Sequence, residues 1–102
     1  MTERLLIRPE AEADLAEAFA WYEARRDGLG HEFLLAVEAR LAAIQRHPVS
    51  FPVVHRQIRR ALIRRFPYGI FFIVEESTVI VLAVFHAKRD PQHWQTRADP
   101  NE

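Results

Sequence analysis

The groups best placed to grip an anion are seven basic residues in the second half of the chain. Arg56, Arg59, Arg60, Arg64 and Arg65 fall within ten residues, and Lys88 and Arg89 follow after two apolar segments. Arginine presents fixed, forked donors that match phosphate and carboxylate, so such a cluster on one sheet surface would dock RNA, DNA or an acidic protein segment. The same charges would also solubilise a sheet edge and protect it from pairing with other chains, although five arginines in so short a stretch exceed what edge protection requires. A second polar feature, His86-Ala87-Lys88-Arg89-Asp90-Pro91-Gln92-His93-Trp94, begins where the last apolar run ends. A histidine at a strand end can act as acid or base near neutral pH, or serve as a hydrogen-bonded structural residue. Trp94 is readable as a cap on the core or as a platform for stacking a base.

Other chemistries find less support. His31, His47, His55, His86 and His93 are scattered, with no pair or carboxylate at metal-ligand spacing. Gly28 and Gly30 stand between two helical patterns rather than after a strand, so no nucleotide cofactor is expected. Ser50 and Ser77 lack a nucleophile-elbow context. There is no cysteine, which removes disulfides, thiolate metal sites and a cysteine nucleophile.

The elements that must position these residues follow from patterning. With 102 residues, 49 % of them apolar and 27 % charged, a single domain with one core over residues 1–102 is expected. The zero net charge hides a division. Residues 1–45 hold five arginines against nine acids, a net of −4, whereas residues 46–97 hold nine basic residues against three acids, a net of +6. One face is therefore expected to meet an anionic partner. No run is long enough for an export signal or membrane span, so the cytoplasm is the expected location, with no membrane contact.

Leu5, Leu6 and Ile7 predict a short first strand ending before Pro9. Pro9 suits an early helical position, and Glu10, Glu12 and Asp14 favour the positive end of a helix dipole. Ala11, Leu15, Ala18, Phe19 and Tyr22 recur at helical spacing until Asp27-Gly28. A second helix is expected from about Gly30 to His47, because Phe33, Val37, Leu41 and Ile44 fall at i, i+4 and i+3 steps and Pro48 stops the pattern. The short glycine-rich connection makes the two helices antiparallel neighbours. Residues 48–55 read as a loop, and the period then changes to two. Ile58–Arg65, Phe71–Val74 and Val79–Phe85 are expected strands, the last two joined through Glu75, Glu76, Ser77 and Thr78. The expected fold is α+β: a short N-terminal strand, an antiparallel helical hairpin on a mainly antiparallel sheet of three to four strands, and a short helical tail from Pro91. Fraying is expected over Ala98–Glu102.

Taken in order, these pieces resemble the RelE/ParE superfamily, the toxins of bacterial type II toxin-antitoxin pairs. The matching residues are Pro9-Glu10-Ala11 with Asp14-Leu15, Trp21-Tyr22, Gly28-Leu29-Gly30 before Phe33, and Pro48. They continue with Ile58-Arg59-Arg60, Arg65-Phe66-Pro67-Tyr68 and Ile70, then Val84-Phe85-His86 with Arg89-Asp90-Pro91 and Trp94. The resemblance covers nearly the whole chain. It implies a cognate antitoxin that wraps and neutralises this chain in a hetero-oligomer, with DNA met only indirectly through that antitoxin.

Two mechanisms share the implied fold: ribosome-dependent mRNA cleavage in RelE-like members and inhibition of DNA gyrase in ParE-like members. Cleavage needs a base for a 2′-hydroxyl, cations for the developing charge and an acid for the leaving oxygen. Arg59, Arg64, Arg65 and Arg89 would supply the cations, and His86 or His55 the proton transfer. The tail, however, lacks the closing Tyr of many RelE-like members, and Lys88 is the only lysine. The helix-opening carboxylates, the Arg-Phe-Pro-Tyr step and the His-x-x-Arg-Asp-Pro tail resemble the ParE branch. The expectation is therefore a non-enzymatic gyrase inhibitor without cofactor or metal. Its target surface would draw on Arg56, Arg59, Arg60, Arg64, Arg65, Lys88, Arg89 and Trp94. The alternatives are a ribonuclease using His86, Arg59, Arg65 and Arg89, whose partners would be the ribosome and mRNA, and a non-toxic antitoxin-binding co-repressor.

Overall fold

The computed structural model of the chain describes residues 4–98; the fraying expected of the tail falls, beyond Ala98, outside the described residues. Strand β1 (Arg4–Ile7) leads into helix α1 (Pro9–Arg25) and helix α2 (Leu29–Arg46), each within about a residue or two of its expected bounds. A 3-10 turn (Pro48–Ser50) precedes strands β2 (Val53–His55), β3 (Ile58–Leu62), β4 (Tyr68–Glu75) and β5 (Thr78–His86), and helix α3 (Gln92–Gln95) follows. The sheet order is β1-β5-β4-β3-β2, with β1 parallel to β5 and every other pair antiparallel. The sheet thus has one strand more than the three to four expected. The addition is β2, three residues squeezed between Pro52 and the turn at Arg56, inside the stretch read as a loop. Strand β3 also stops earlier than expected, at Leu62, so Arg64 and Arg65 lie in a turn, with Arg65 at φ 69.

The hairpin is fixed by a few contacts. In α2 the apolar stripe Phe33, Val37, Leu41 and Ile44 is buried, and α1 contributes Ala11, Ala18 and Tyr22. Gly28 adopts φ +89, a left-handed conformation that suits glycine, and begins α2. The Glu23 carboxylate accepts hydrogen bonds from Gly28 N–H (2.8 Å) and Gly30 N–H (2.9 Å), tying the end of α1 to the start of α2. The Gly28 bond holds this carboxyl below the ordinary glutamate range; it outweighs an opposing push from desolvation, and Gly30 and His31 add to it. The fold therefore favours ionised Glu23. Its contribution is complete above the unfolded-state pKa and is lost as pH falls through the lowered folded-state value. We expect the gap in melting temperature between wild type and Glu23→Gln to be widest near neutrality and to close in acid. A gap that stayed constant from pH 7 to pH 3 would remove Glu23 as the source.

Strands β4 and β5 are buried on both faces. On the helix face, Tyr22, Phe33, Phe66 and Tyr68 form an aromatic cluster with ring centroids 5.0–5.9 Å apart. The back face carries Ile58, Phe71, Ile73, Ile80, Leu82, Ala83 and Phe85, and Trp94 from α3 stacks on Phe71 at 4.3 Å. Phe71 pairs with Ala83 and Phe72 with Val81, so Leu82 is an extra residue, a bulge that turns both Leu82 and Ala83 to the back. Burial on both sides explains why β4 and β5 read as continuous apolar runs instead of alternating.

Strand β4 flanks β5 along its length, but β1 reaches only as far as Val81. Beyond that point side chains replace the missing strand. Asp14 Oδ2 accepts from Val84 N–H (2.9 Å) and from Arg97 Nη1 (2.7 Å), and Arg97 Nη1 also donates to the Leu82 carbonyl (3.0 Å). This bridge joins α1, on one side of the sheet, to the tail on the other.

Candidate target-binding surface

The alternation of β3 divides the arginine cluster between the two faces of the sheet. Arg59 lies on the helix face and donates from Nη1 to the carbonyls of Phe51 (2.6 Å) and Val49 (3.2 Å), fastening the segment before β2. Arg60 lies on the back face, opposite Phe71 in the register. Arg56 occupies the β2–β3 turn at φ 53. In the β3–β4 turn, Arg65 sits 3.7 Å from the Glu32 carboxylate on α2 and 5.8 Å from the Phe66 ring. With Arg64, Arg40 and Arg46 it rims a groove of about 600 Å³ along α2, whose apolar wall includes Leu35, 65 % exposed.

After β5, Arg89 lies 4.3 Å from the Phe85 ring centroid, and Lys88 is exposed beside it. Trp94, expected among the residues that contact a target, is instead 6 % exposed and packed on Phe71. As a large amphipathic ring beside an apolar sheet face it serves the core and holds the tail against it. His86 is exposed on the helix face, 5.5 Å from the Tyr68 ring, and its Nδ1 accepts a hydrogen bond from Lys88 N–H (3.1 Å). His55 lies by the Trp94 ring, 6.1 Å between centroids.

The groups that a ribonuclease would use are thus not assembled. His86 is paired in register with Tyr68 and Arg59 with Phe72, an offset of four residues along β4, or about 13 Å at roughly 3.3 Å per residue. Arg59 is engaged by backbone carbonyls, Arg65 by Glu32, and Arg89 lies over a back-face ring. Among the described residues no group of His, Asp and Glu is arranged to hold a metal ion.

Sequence reasoning missed two surfaces. One is the α2 groove; the signal for it was Leu35, Ala36, Ala39 and Ala43, apolar residues outside the buried stripe. The other is a cleft of about 630 Å³ that brings Glu17, Trp21, Tyr22 and Tyr68 to His86. Trp21 is 51 % exposed there, with the Arg25 guanidinium 3.9 Å above its ring. Burial pushes the hydroxyls of Tyr22 and Tyr68 above the usual phenol value; Tyr68 adds to the rise at Tyr22, and Glu17 adds to it at Tyr68 against the pull of Arg89. Both phenols are therefore neutral donors at physiological pH.

A family model described as the ParE toxin of the type II toxin-antitoxin system, parDE, matches residues 5–91. Among curated proteins none matches the sequence. Among solved structures, the chromosomal ParDE toxin-antitoxin system from P. aeruginosa aligns with a TM-score of 0.72 at 17 % identity, covering 83 % of this chain and 96 % of that one. The RelBE2 toxin-antitoxin complex from Mycobacterium tuberculosis aligns with a TM-score of 0.57 at 18 % identity, covering 84 % and 99 %. At these identities the structures establish the shared fold. No helix among the described residues is long and apolar enough to cross a membrane.

Proposed function

Because the chain belongs to the ParE toxin family of type II toxin-antitoxin systems, we propose that it acts in the cytoplasm by inhibiting DNA gyrase and is neutralised by a cognate antitoxin in a hetero-oligomer. The observation that carries this reading is the separation of His86 from Arg59, four residues away along β4 and engaged by backbone carbonyls, and from Arg65, which is held by Glu32. General acid–base cleavage needs its base and cations within hydrogen-bond reach of one phosphate. A binding inhibitor has no such requirement and uses the basic strand and the tail as separate contacts. Antitoxin capture fits the α2 groove, where an apolar wall containing exposed Leu35 lies between Arg40, Arg46, Arg64 and Arg65. An amphipathic antitoxin segment with acidic flanks would cover that wall and pair with its rim.

The test is a supercoiling reaction with purified protein, gyrase and relaxed plasmid, run beside a translation reaction with a reporter mRNA. Supercoiling is expected to fail while the message stays intact, and adding the antitoxin should restore it. Cleaved message with normal supercoiling would replace this reading with the ribonuclease, and no effect in either reaction would leave the non-toxic co-repressor.

A further inference from the structure

Gly69 is the reason Arg60 lies where it does. On the back face Gly69 is in register with Leu62 of β3 on one side and with Phe85 of β5 on the other. Its missing side chain leaves a slot, and the Arg60 stem fills it. A β-carbon at residue 69 would come within 3.2 Å of Arg60 Cγ and 3.3 Å of Cδ. The stem therefore leans from β3 over β4, towards the Phe85 ring on which Arg89 is seated. His93 meets the same ring edge-on at 6.2 Å, and Lys88 adjoins Arg89 in the turn.

What sets Arg60 apart among the described arginines is its Nε, which is buried without a hydrogen-bond partner. Arg26, Arg65 and Arg97 each have a carboxylate partner. Among the described residues, Arg60, Lys88 and Arg89 make no ion pair, and Arg60 Nε is shielded from water without any hydrogen-bond acceptor. A shielded donor without an acceptor is destabilising, and more so when charged. Arg89 seated on the apolar Phe85 ring, with the Arg60 stem leaning towards it and carrying an unmet donor, is an arrangement that a ligand's oxyanions complete.

We propose that this corner of the back face, held by Arg60 and Arg89 across the Gly69–Phe85 pair, binds the phosphodiester backbone of a nucleic acid directly. A nucleic-acid strand presents anions in a regular row, which suits one guanidinium on β3 and another in the turn after β5, on either side of β4, with Lys88 beyond them, whereas an acidic side chain offers one. This goes beyond the expectation that DNA is met only through the antitoxin, and it does not depend on gyrase being the target.

The experiment is fluorescence anisotropy of labelled single-stranded DNA, duplex DNA and RNA of one sequence with the purified full chain, at a series of salt concentrations. Affinity for at least one probe should fall with salt at a log–log slope of about −1.4 to −1.8, the value for two phosphates at about 0.7–0.9 each. The preferred probe identifies the source of the backbone. Arg60→Gln and Arg89→Gln should each weaken binding about tenfold, the effect of losing roughly 1.4 kcal/mol, while Arg25→Gln on α1 should not. Arg89 is exposed, so its variant keeps the test valid even if Arg60→Gln disturbs the fold. Absence of binding to all three probes, an equal loss from Arg25→Gln, or competition by polyglutamate as strong as by unlabelled nucleic acid would overturn the proposal.

Discussion

Asp14→Ala is expected to lower stability by about 2–3 kcal/mol, read as a shift in the denaturant midpoint at unchanged slope. The carboxylate is only 10 % exposed and serves two donors, Val84 N–H and Arg97 Nη1. Removing one partner of a fully buried pair costs about 3–5 kcal/mol, and the 24 % exposure of Arg97 lets water recover part of that. Alanine leaves the backbone N–H of Val84 without its acceptor at a point where β1 has already ended, so no strand can take over. Arg97→Ala should cost less, because Asp14 would still hold Val84, and the double variant should cost less than the two single losses together. A midpoint for Asp14→Ala within about 0.5 kcal/mol of wild type, the usual range for a surface substitution, would show that the bridge does not hold the edge.

Gly30→Ala should destabilise by about 2 kcal/mol even though alanine is the better helix former. A β-carbon at residue 30 would lie 2.8 Å from both the Phe19 carbonyl oxygen and Phe19 Cδ2, and 2.9 Å from Glu23 Oε1. A side chain can swing aside, but the carbonyl belongs to α1 and moves only with the helix. Overpacking of this kind costs about 1–3 kcal/mol, whereas the gain in propensity is at most about 1 kcal/mol and smaller in a first turn. The substitution also pushes on the carboxylate that binds Gly28 and Gly30, so the acid sensitivity assigned to Glu23 should weaken with it. A melting temperature equal to or above that of wild type would mean that the hairpin opens without resistance.

Much of this architecture is legible in the sequence where a single residue type repeats with a single period. Phe33, Val37, Leu41 and Ile44 mark α2, and the run Val79–Phe85 marks a strand buried on both faces. Non-local relations were not legible. Asp14 reads as a helix-opening acid suited to the dipole, yet its partners are Val84 and Arg97, 70 and 83 residues further on. Strand β2 was hidden because its three residues follow Pro52, which cannot donate to a ladder. The basic cluster was visible as a cluster but not as two surfaces. Ile58, Ala61 and Ile63 bury against different faces, so apolar residues occur in both phases of β3 and the sequence does not say which arginine points where. Gly69, which governs the lie of Arg60, gave no signal because its importance rests on a side chain of the neighbouring strand.

The parallel pairing of β1 with β5 also governs when the protein comes into being. Arg4 pairs with Thr78 and Ile7 with Val81, so the first strand has no hydrogen-bonded neighbour until the last strand has left the ribosome. At about 5–20 residues per second, synthesis of the intervening segment takes several seconds. Through that interval the helical hairpin can form from local contacts, but its apolar stripe has no sheet to cover it. Closing so long a loop is a slow step. A nascent chain is therefore incomplete until β5 has emerged, and the interval before closure is one in which the finished fold does not yet exist.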